Sequence, residues 1–290
     1  MYASFNARAV GLTLSAKATI AVAASAGFAG VDLMIRDLVK AGEDPHVIKA
    51  QMNDLGLKGG AFPLPVNWRA DLHTFKNDLA DLDRLASIAA DLGLCATGTW
   101  VMPELPMEND GPDGFQRTVD IHVERLGSIA ATLARSGIAL GLEVIGVESS
   151  RSGKRPRFLT KISELSPVLD PLQNKYTNVG VLLDNWHLFA ASEPLEAALS
   201  TAGNAIKWVH LADLPTGASA DPGLMVDSVR GLPAGHGAVD SRAVLNALRQ
   251  SSYDGPVTAE PLAACAELQG VDAVSIANRV MASLRGVWPR

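Results

Sequence analysis

"VGVLLDNWHLFAAS", residues 179–192, begins as a run of small and apolar residues and turns polar at Asp184, Asn185 and His187. An apolar run without alternation marks a strand covered on both faces, as in parallel sheets. A carboxylate and an imidazole three residues apart at its far end call for a cause, because buried charge is costly unless something pairs with it.

The same kind of run recurs through the chain. Strands are expected at "AVGLTL" (9–14), "GVDLMI" (30–35), "LKGGAF" (57–62) and "CATGTWV" (95–101). The rest are "ALGLEVI" (139–145), "VGVLLD" (179–184), "IKWVHLAD" (206–213) and "PVTAEP" (256–261). Helix signals lie between them. Ser15 caps a helix ending at Gly27, and Leu72, Phe75, Leu79, Leu82, Leu85, Ile88, Ala89 and Leu92 follow a 3.6-residue period up to Gly93. A further helix ends at Gly137, one is capped by Asp240, and the last covers about 268–285. Gly before the next strand is the usual helix-to-strand loop. Short links and no linker-like stretch give one domain over residues 1–290, a closed (β/α)8 TIM barrel. An open doubly wound sheet is the alternative, but no G-x-G-x-x-G or G-K-[ST] follows an early strand.

Composition narrows the function. The chain is 48% hydrophobic with a net charge of −6, and its densest basic stretch, "RSGKRPR" (151–157), reads as a solvated loop. Nucleic acid is therefore not an expected partner. No apolar run reaches the ~18 residues of a membrane span. The Ala-rich start lacks a positive n-region and reads as strand, cap and helix. Cys95 and Cys265 sit in apolar segments expected to be buried, which suits a reducing, cytoplasmic setting. A homo-oligomer is left open.

Catalytic groups of such barrels lie at the C-terminal strand ends. There, strands five to eight offer Glu143, Asp184 with His187, His210 with Asp213, and Glu260. Taken singly, these residues have other uses: a rim ion pair for either Glu, a helix cap for Asp184, a core histidine for His210. Three carboxylates and an imidazole converging on one end call for a cation. Hard oxygen donors with one nitrogen suit a single divalent ion, Mn²⁺ foremost, then Mg²⁺ or Co²⁺, with Zn²⁺ also compatible.

With "GLEVIG", "VGVLLDNWH", "WVHLAD", "DSVRGLPAGHGAVD" and "YDGPVTAEP", the sequence resembles the xylose isomerase-like barrel superfamily of sugar-phosphate isomerases and epimerases over nearly its whole length. The resemblance implies that Glu143, Asp184, His210 and Glu260 bind the metal and that Glu143 and Glu260 also serve as catalytic acid and base. It implies that His187 touches substrate, and so does an Arg beyond the seventh strand, for which Arg230 is the candidate. Two departures stand out: the segment between His210 and Arg230 is longer than in relatives, and His236 stands where relatives often carry Glu. The superfamily includes ketose 3-epimerases, inosose isomerases and dehydratases, dehydroshikimate dehydratases and endonuclease IV.

The expected activity is a metal-dependent isomerase or epimerase acting on a keto-sugar or related hydroxyketone through an enediolate. The alternative is a lyase or dehydratase on a cyclic keto-sugar or keto-polyol, since the first proton abstraction is common to both. The endonuclease is disfavoured, because strands two to four end "MIRD", "AFPLP" and "TWVMP", without its additional His and Glu ligands. Trp100 and Trp68, with Phe62, are the candidate apolar walls for a sugar. Asp213 either orients His210 or caps the next loop. Glu148 reads as solvated, and no chemistry is assigned to His46, His73 or His122.

Overall fold

The computed structural model describes residues 1–109, 111–234 and 237–290. Their strands are β1 (Tyr2–Asn6), β2 (Gly30–Asp32), β3 (Lys58–Gly59), β4 (Ala61–Pro63), β5 (Ala96–Trp100), β6 (Ala139–Glu143), β7 (Val179–Asp184), β8 (Ile206–Leu211) and β9 (Pro256–Ala259). The helices are α1 (Ala16–Ser25), α2 (Ile35–Lys40), α3 (Pro45–Asp54), α4 (Leu72–Asp91), α5 (Gly114–Arg135), α6 (Ser166–Gln173), α7 (Asn185–Ala190), α8 (Leu195–Ala202), α9 (Ser241–Gln250) and α10 (Ala273–Val287).

All pairings are parallel, in the order β3-β2-β1-β9-β8-β7-β6-β5-β4. The two ends of that order, β3 and β4, are halves of one strand parted by Gly60. Gly60 N–H donates to Val31 O on one side and its carbonyl accepts from Cys95 N–H on the other, each at 2.9 Å. The ring is thereby closed as a (β/α)8 TIM barrel.

The break at Gly60 has a local cause. Buried Asp32 accepts from Ala61 N–H at 2.8 Å and from the Ser4 hydroxyl at 2.6 Å, so a side chain takes a place in the ladder. A Cβ at position 60 would overlap the Asp32 carboxylate and the Ser4 hydroxyl, which leaves room only for glycine. Thr258 donates to the other Asp32 oxygen at 2.7 Å, and Trp208 Nε1 donates to Thr258 at 3.0 Å. This network fills the barrel interior, and each polar member is satisfied, as buried polar groups must be.

The first strand differs from expectation. Residues 8–10 form a 3-10 turn with Gly11 at φ 79°, while the strand is the less apolar "YASFN". Its inward Ser4 and Asn6 are polar because they serve Asp32 and the turn, where Asn6 Oδ1 accepts from Ala9 N–H at 3.1 Å. Hydropathy alone therefore favoured the wrong neighbour.

The helices cover the outside much as the pattern predicts. Ser15, Asp71, Asp240 and Asp272 accept from first-turn N–H groups of α1, α4, α9 and α10, each cap contributing about 1 kcal/mol. Phe75, Leu82, Leu85 and Ala89 are buried along α4, whereas Leu72 at its start is exposed. The helix is followed by Gly93 at φ 81°, a left-handed turn that suits glycine. Of the cysteines, Cys265 is buried, but Cys95 lies exposed just before β5. No helix among the described residues is long and apolar enough to cross a membrane.

His122 ties α5 to the loop above β5. Its Nδ1 lies 2.7 Å from Thr118 O, its Nε2 accepts from Met102 N–H at 3.3 Å, and its ring packs on Trp68 and Phe158. Burial, only partly offset by the Thr118 carbonyl, lowers its pKa to about 4. The unfolded chain thus binds a proton there first. Stability conferred by neutral His122 is full above about pH 6.5 and falls as pH drops towards 4, by up to ~3 kcal/mol. Urea midpoints of wild type and His122→Gln between pH 7 and 4 should converge as pH falls. A gap that stays constant would show that His122 is not the titrating group.

Candidate metal centre

Glu143 ends β6, Asp184 ends β7, His210 lies near the end of β8, and Glu260 follows β9 directly. Register places them side by side. Asp184 pairs with His210, His210 pairs with Thr258, and Glu260 N–H donates to Leu211 O at 2.8 Å. One ligand atom from each of the four lies within 4.8 Å of the others.

The charge balance explains what holds these groups together. His210 is buried, with Nδ1 at 3.3 Å from Glu260 Oε1 and 3.6 Å from Glu143 Oε1, yet neither ring nitrogen makes an aligned hydrogen bond among the described residues. Burial would push its pKa down, but the two carboxylates outweigh burial and hold it well above normal. Burial raises Glu143. Asp184 and Glu260 resist that same pressure and stay below the usual carboxylate range, Asp184 chiefly through Arg230 and Glu260 through His210 and Arg230.

A buried imidazole that makes no aligned hydrogen bond among the described residues, set beside three carboxylates, fits a divalent cation. The donor set, three carboxylates and one nitrogen, is that of a hard or borderline ion. Asp184 also caps α7, its Oδ1 accepting from Trp186 N–H at 2.8 Å, which leaves Oδ2 turned to the site.

Arg230 is engaged more deeply than expected. Its guanidinium is 2% exposed, and Nη1 donates to Asp184 Oδ2 and Glu260 Oε2, both at 2.8 Å. Asp227 takes Nη2, and His187 Nε2 lies 3.3 Å from the same nitrogen. In this state the arginine braces two of the candidate ligands. His187 is buried on the first turn of α7, and its Nδ1 has no partner among the described residues.

The cavity above the cluster has two lobes that meet at Trp100, Glu143, Glu260 and Leu262. One, of about 500 Å³, is further lined by Met102, Glu104, Arg155, His187, Asp227 and Arg230. The other, of about 400 Å³, is lined by Asn6, Met34, Arg69, Thr99, Trp208 and His210 among others. Both are of a size suited to small ligands.

Trp100, 39% exposed, lies where a wall was expected. Trp68 and Phe62 do not. Both are fully buried, and Trp68 donates from Nε1 to Thr99 Oγ1 at 2.9 Å, so it supports the wall from behind without reaching the cavity. Asp213 accepts from the N–H groups of Leu214 and Val239 at 2.8 and 2.9 Å, which makes it a cap of the loop and not a partner of His210. His236 lies outside the described residues.

The lining residues not picked out from the sequence include Arg155, Glu104 and Arg69. Arg155, from the basic loop read as solvated, pairs with Glu104, and Glu104 also accepts from Ser152 N–H at 3.0 Å. Arg69 lies in the segment before α4. Its only sequence signal is its place after Trp68 in "PVNWR".

A family model described as xylose isomerase-like TIM barrel matches residues 20–284. No curated protein sequence matches the chain. Among solved structures, a xylose isomerase domain protein from Alicyclobacillus acidocaldarius subsp. acidocaldarius is similar at 23% identity and TM-score 0.83, over 99% of this chain and 98% of that one. The IolI protein with a bound zinc atom is similar at 15% identity and TM-score 0.78, over 99% and 98%. D-psicose 3-epimerase from Clostridium cellulolyticum H10, solved with D-tagatose, is similar at 16% identity and TM-score 0.72, over 100% of both chains.

Proposed function

For this chain, which belongs to the xylose isomerase-like TIM barrel family, we propose a divalent-metal-dependent isomerase or epimerase acting on a keto-sugar or related hydroxyketone by proton transfer through an enediolate. The observation that carries this reading is the buried His210, its Nδ1 facing Glu260 and Glu143 and its Nε2 without a hydrogen bond among the described residues, within one cluster with Glu143, Asp184 and Glu260. Those four residues would hold the ion, with Mn²⁺ proposed first; the zinc of the similar IolI structure keeps Zn²⁺ as the second choice. When bound, such an ion supplies Lewis-acid polarisation of a carbonyl and its neighbouring hydroxyl.

The proton is the task of the chain itself. Glu143 and Glu260 approach His210 Nδ1 from two sides, and both line the cavity. One takes the proton from the carbon beside the carbonyl, and the other returns it. Return to the opposite face epimerises; return to the adjacent carbon isomerises. Arg230 fixes Glu260 through Oε2, and Oε1, 3.3 Å from His210 Nδ1, is the oxygen proposed for the transfer. His187 and Arg230 are the groups proposed to hold substrate oxygens, and Trp100 offers an apolar face to sugar C–H groups. The proposed partner is a small-molecule sugar or polyol.

Metal analysis of the purified protein should find about one ion per chain. His210→Ala should weaken binding by more than ~100-fold, since loss of even an outer partner of a ligand costs 10–100-fold. Unchanged affinity in that variant would remove His210 from the site.

A further inference from the structure

We infer that the substrate carries an anionic group, a carboxylate or a phosphate, which is recognised by Arg69. This rests on the function proposed above and adds the substrate class to it.

Arg69 is the exception among the arginines around the cavity. Arg8 has Asp37, Arg155 has Glu104, and Arg230 has Asp184 and Glu260. Among the described residues Arg69 makes no ion pair. Its hydrogen bonds leave from Nη1 alone, to Thr99 Oγ1 at 3.2 Å and to Trp100 O at 2.8 Å. Its Cζ lies 3.6 Å from the Trp100 ring centroid and 4.8 Å from that of Trp68. The guanidinium therefore lies over the Trp100 ring and near that of Trp68, with donors still unused, in the lobe that also exposes Glu143, His210 and Glu260.

A half-buried cation without a counter-ion is unfavourable, and stacking recovers only part of the cost. Burial lowers its pKa to about 10, so it stays charged at neutral pH. The planar fork of arginine matches a carboxylate or a phosphate, two-handed and directional. In the opposite lobe the arginines are already paired, Arg155 with Glu104 and Arg230 with Asp227, Asp184 and Glu260. An anionic end therefore finds its unpaired cation at Arg69, while the hydroxyketone end meets the ligand cluster.

D-Fructose, D-fructuronate and D-fructose 6-phosphate differ only at C6 and serve as probes. Binding of each to the Mn²⁺-loaded protein is measured by titration calorimetry, which needs no turnover. One anion should bind about 10–100-fold tighter than D-fructose, the range of a charge-assisted hydrogen bond. Preference for the uronate assigns a carboxylate; preference for the phosphate ester assigns a phosphate. Arg69→Gln should abolish the preference by weakening the favoured anion far more than D-fructose, and Arg69→Lys should keep part of it. A wild type that favours neither anion, including one that binds none of the three, overturns the inference. So does an Arg69→Gln variant that keeps the preference, or one that loses D-fructose equally, which would make Arg69 a prop for Trp100. Metal content and solvent exchange test the proposed function separately, so the two can fail independently.

Discussion

Glu260→Gln is expected to lower the rate of deuterium incorporation from D₂O into substrate, at the carbon beside the carbonyl, by ~10²–10⁴, the usual loss when a general base is removed. The amide keeps an oxygen that can accept from Arg230 Nη1, now 2.8 Å from Glu260 Oε2, so the fold around the site should survive. What disappears is a carboxylate able to take a proton. Shielded transfer between adjacent carbons would suppress solvent label, and an α-deuterated substrate would then reveal the transfer directly. Loss of a β-hydroxyl with formation of an unsaturated product would identify a lyase. Turnover without any proton exchange, in a Glu260→Gln variant near full rate, would defeat the proton-transfer reading.

Arg230→Met is expected to destabilise the metal-free protein by about 3–5 kcal/mol, because it leaves buried acids without their cation. Asp184 and Glu260 each lose a 2.8 Å partner. The loss should be conditional. A divalent ion that binds only the folded state adds about 2.7 kcal/mol at a hundredfold excess over its dissociation constant, and the variant has more uncompensated charge for it to neutralise. Urea unfolding in chelator and in Mn²⁺ should therefore show a larger metal increment in the variant than in wild type. Equal increments in the two proteins would mean that the arginine and the ion do not share these carboxylates.

The ligand cluster was legible because each member sits at a strand end, and strands are fixed by local pattern. β7 occupies Val179–Asp184 just as the apolar run suggests. Register between neighbouring strands then does the rest, bringing Asp184 beside His210. What was not legible depends on contacts between distant segments. Arg230 was assigned to substrate alone, because its partners come from β7, the end of β9 and its own loop. Trp68 looked like a wall because it follows a strand, but Thr99 and His122 hold it inside. β1 was missed because its inward polar side chains answer to Asp32, which lies 28 residues from Ser4.

The groups that would do the chemistry sit at strand ends, whereas several charged groups of the cavity wall sit on loops. Glu143, Asp184, His210 and Glu260 belong to β6–β9 or the residue just after, whereas Arg69, Glu104 and Arg155 belong to loops. Loops accept substitution and changes of length more readily than the barrel strands they join. Gene duplicates of such a chain can acquire a new specificity by drift in the loop segments that carry Arg69 and Glu104, residues 64–71 and 101–109, while inheriting an intact reaction. A directed-evolution library confined to those two segments would sample new substrates at little risk to turnover. A library spread over the strand ends would mostly yield inactive clones.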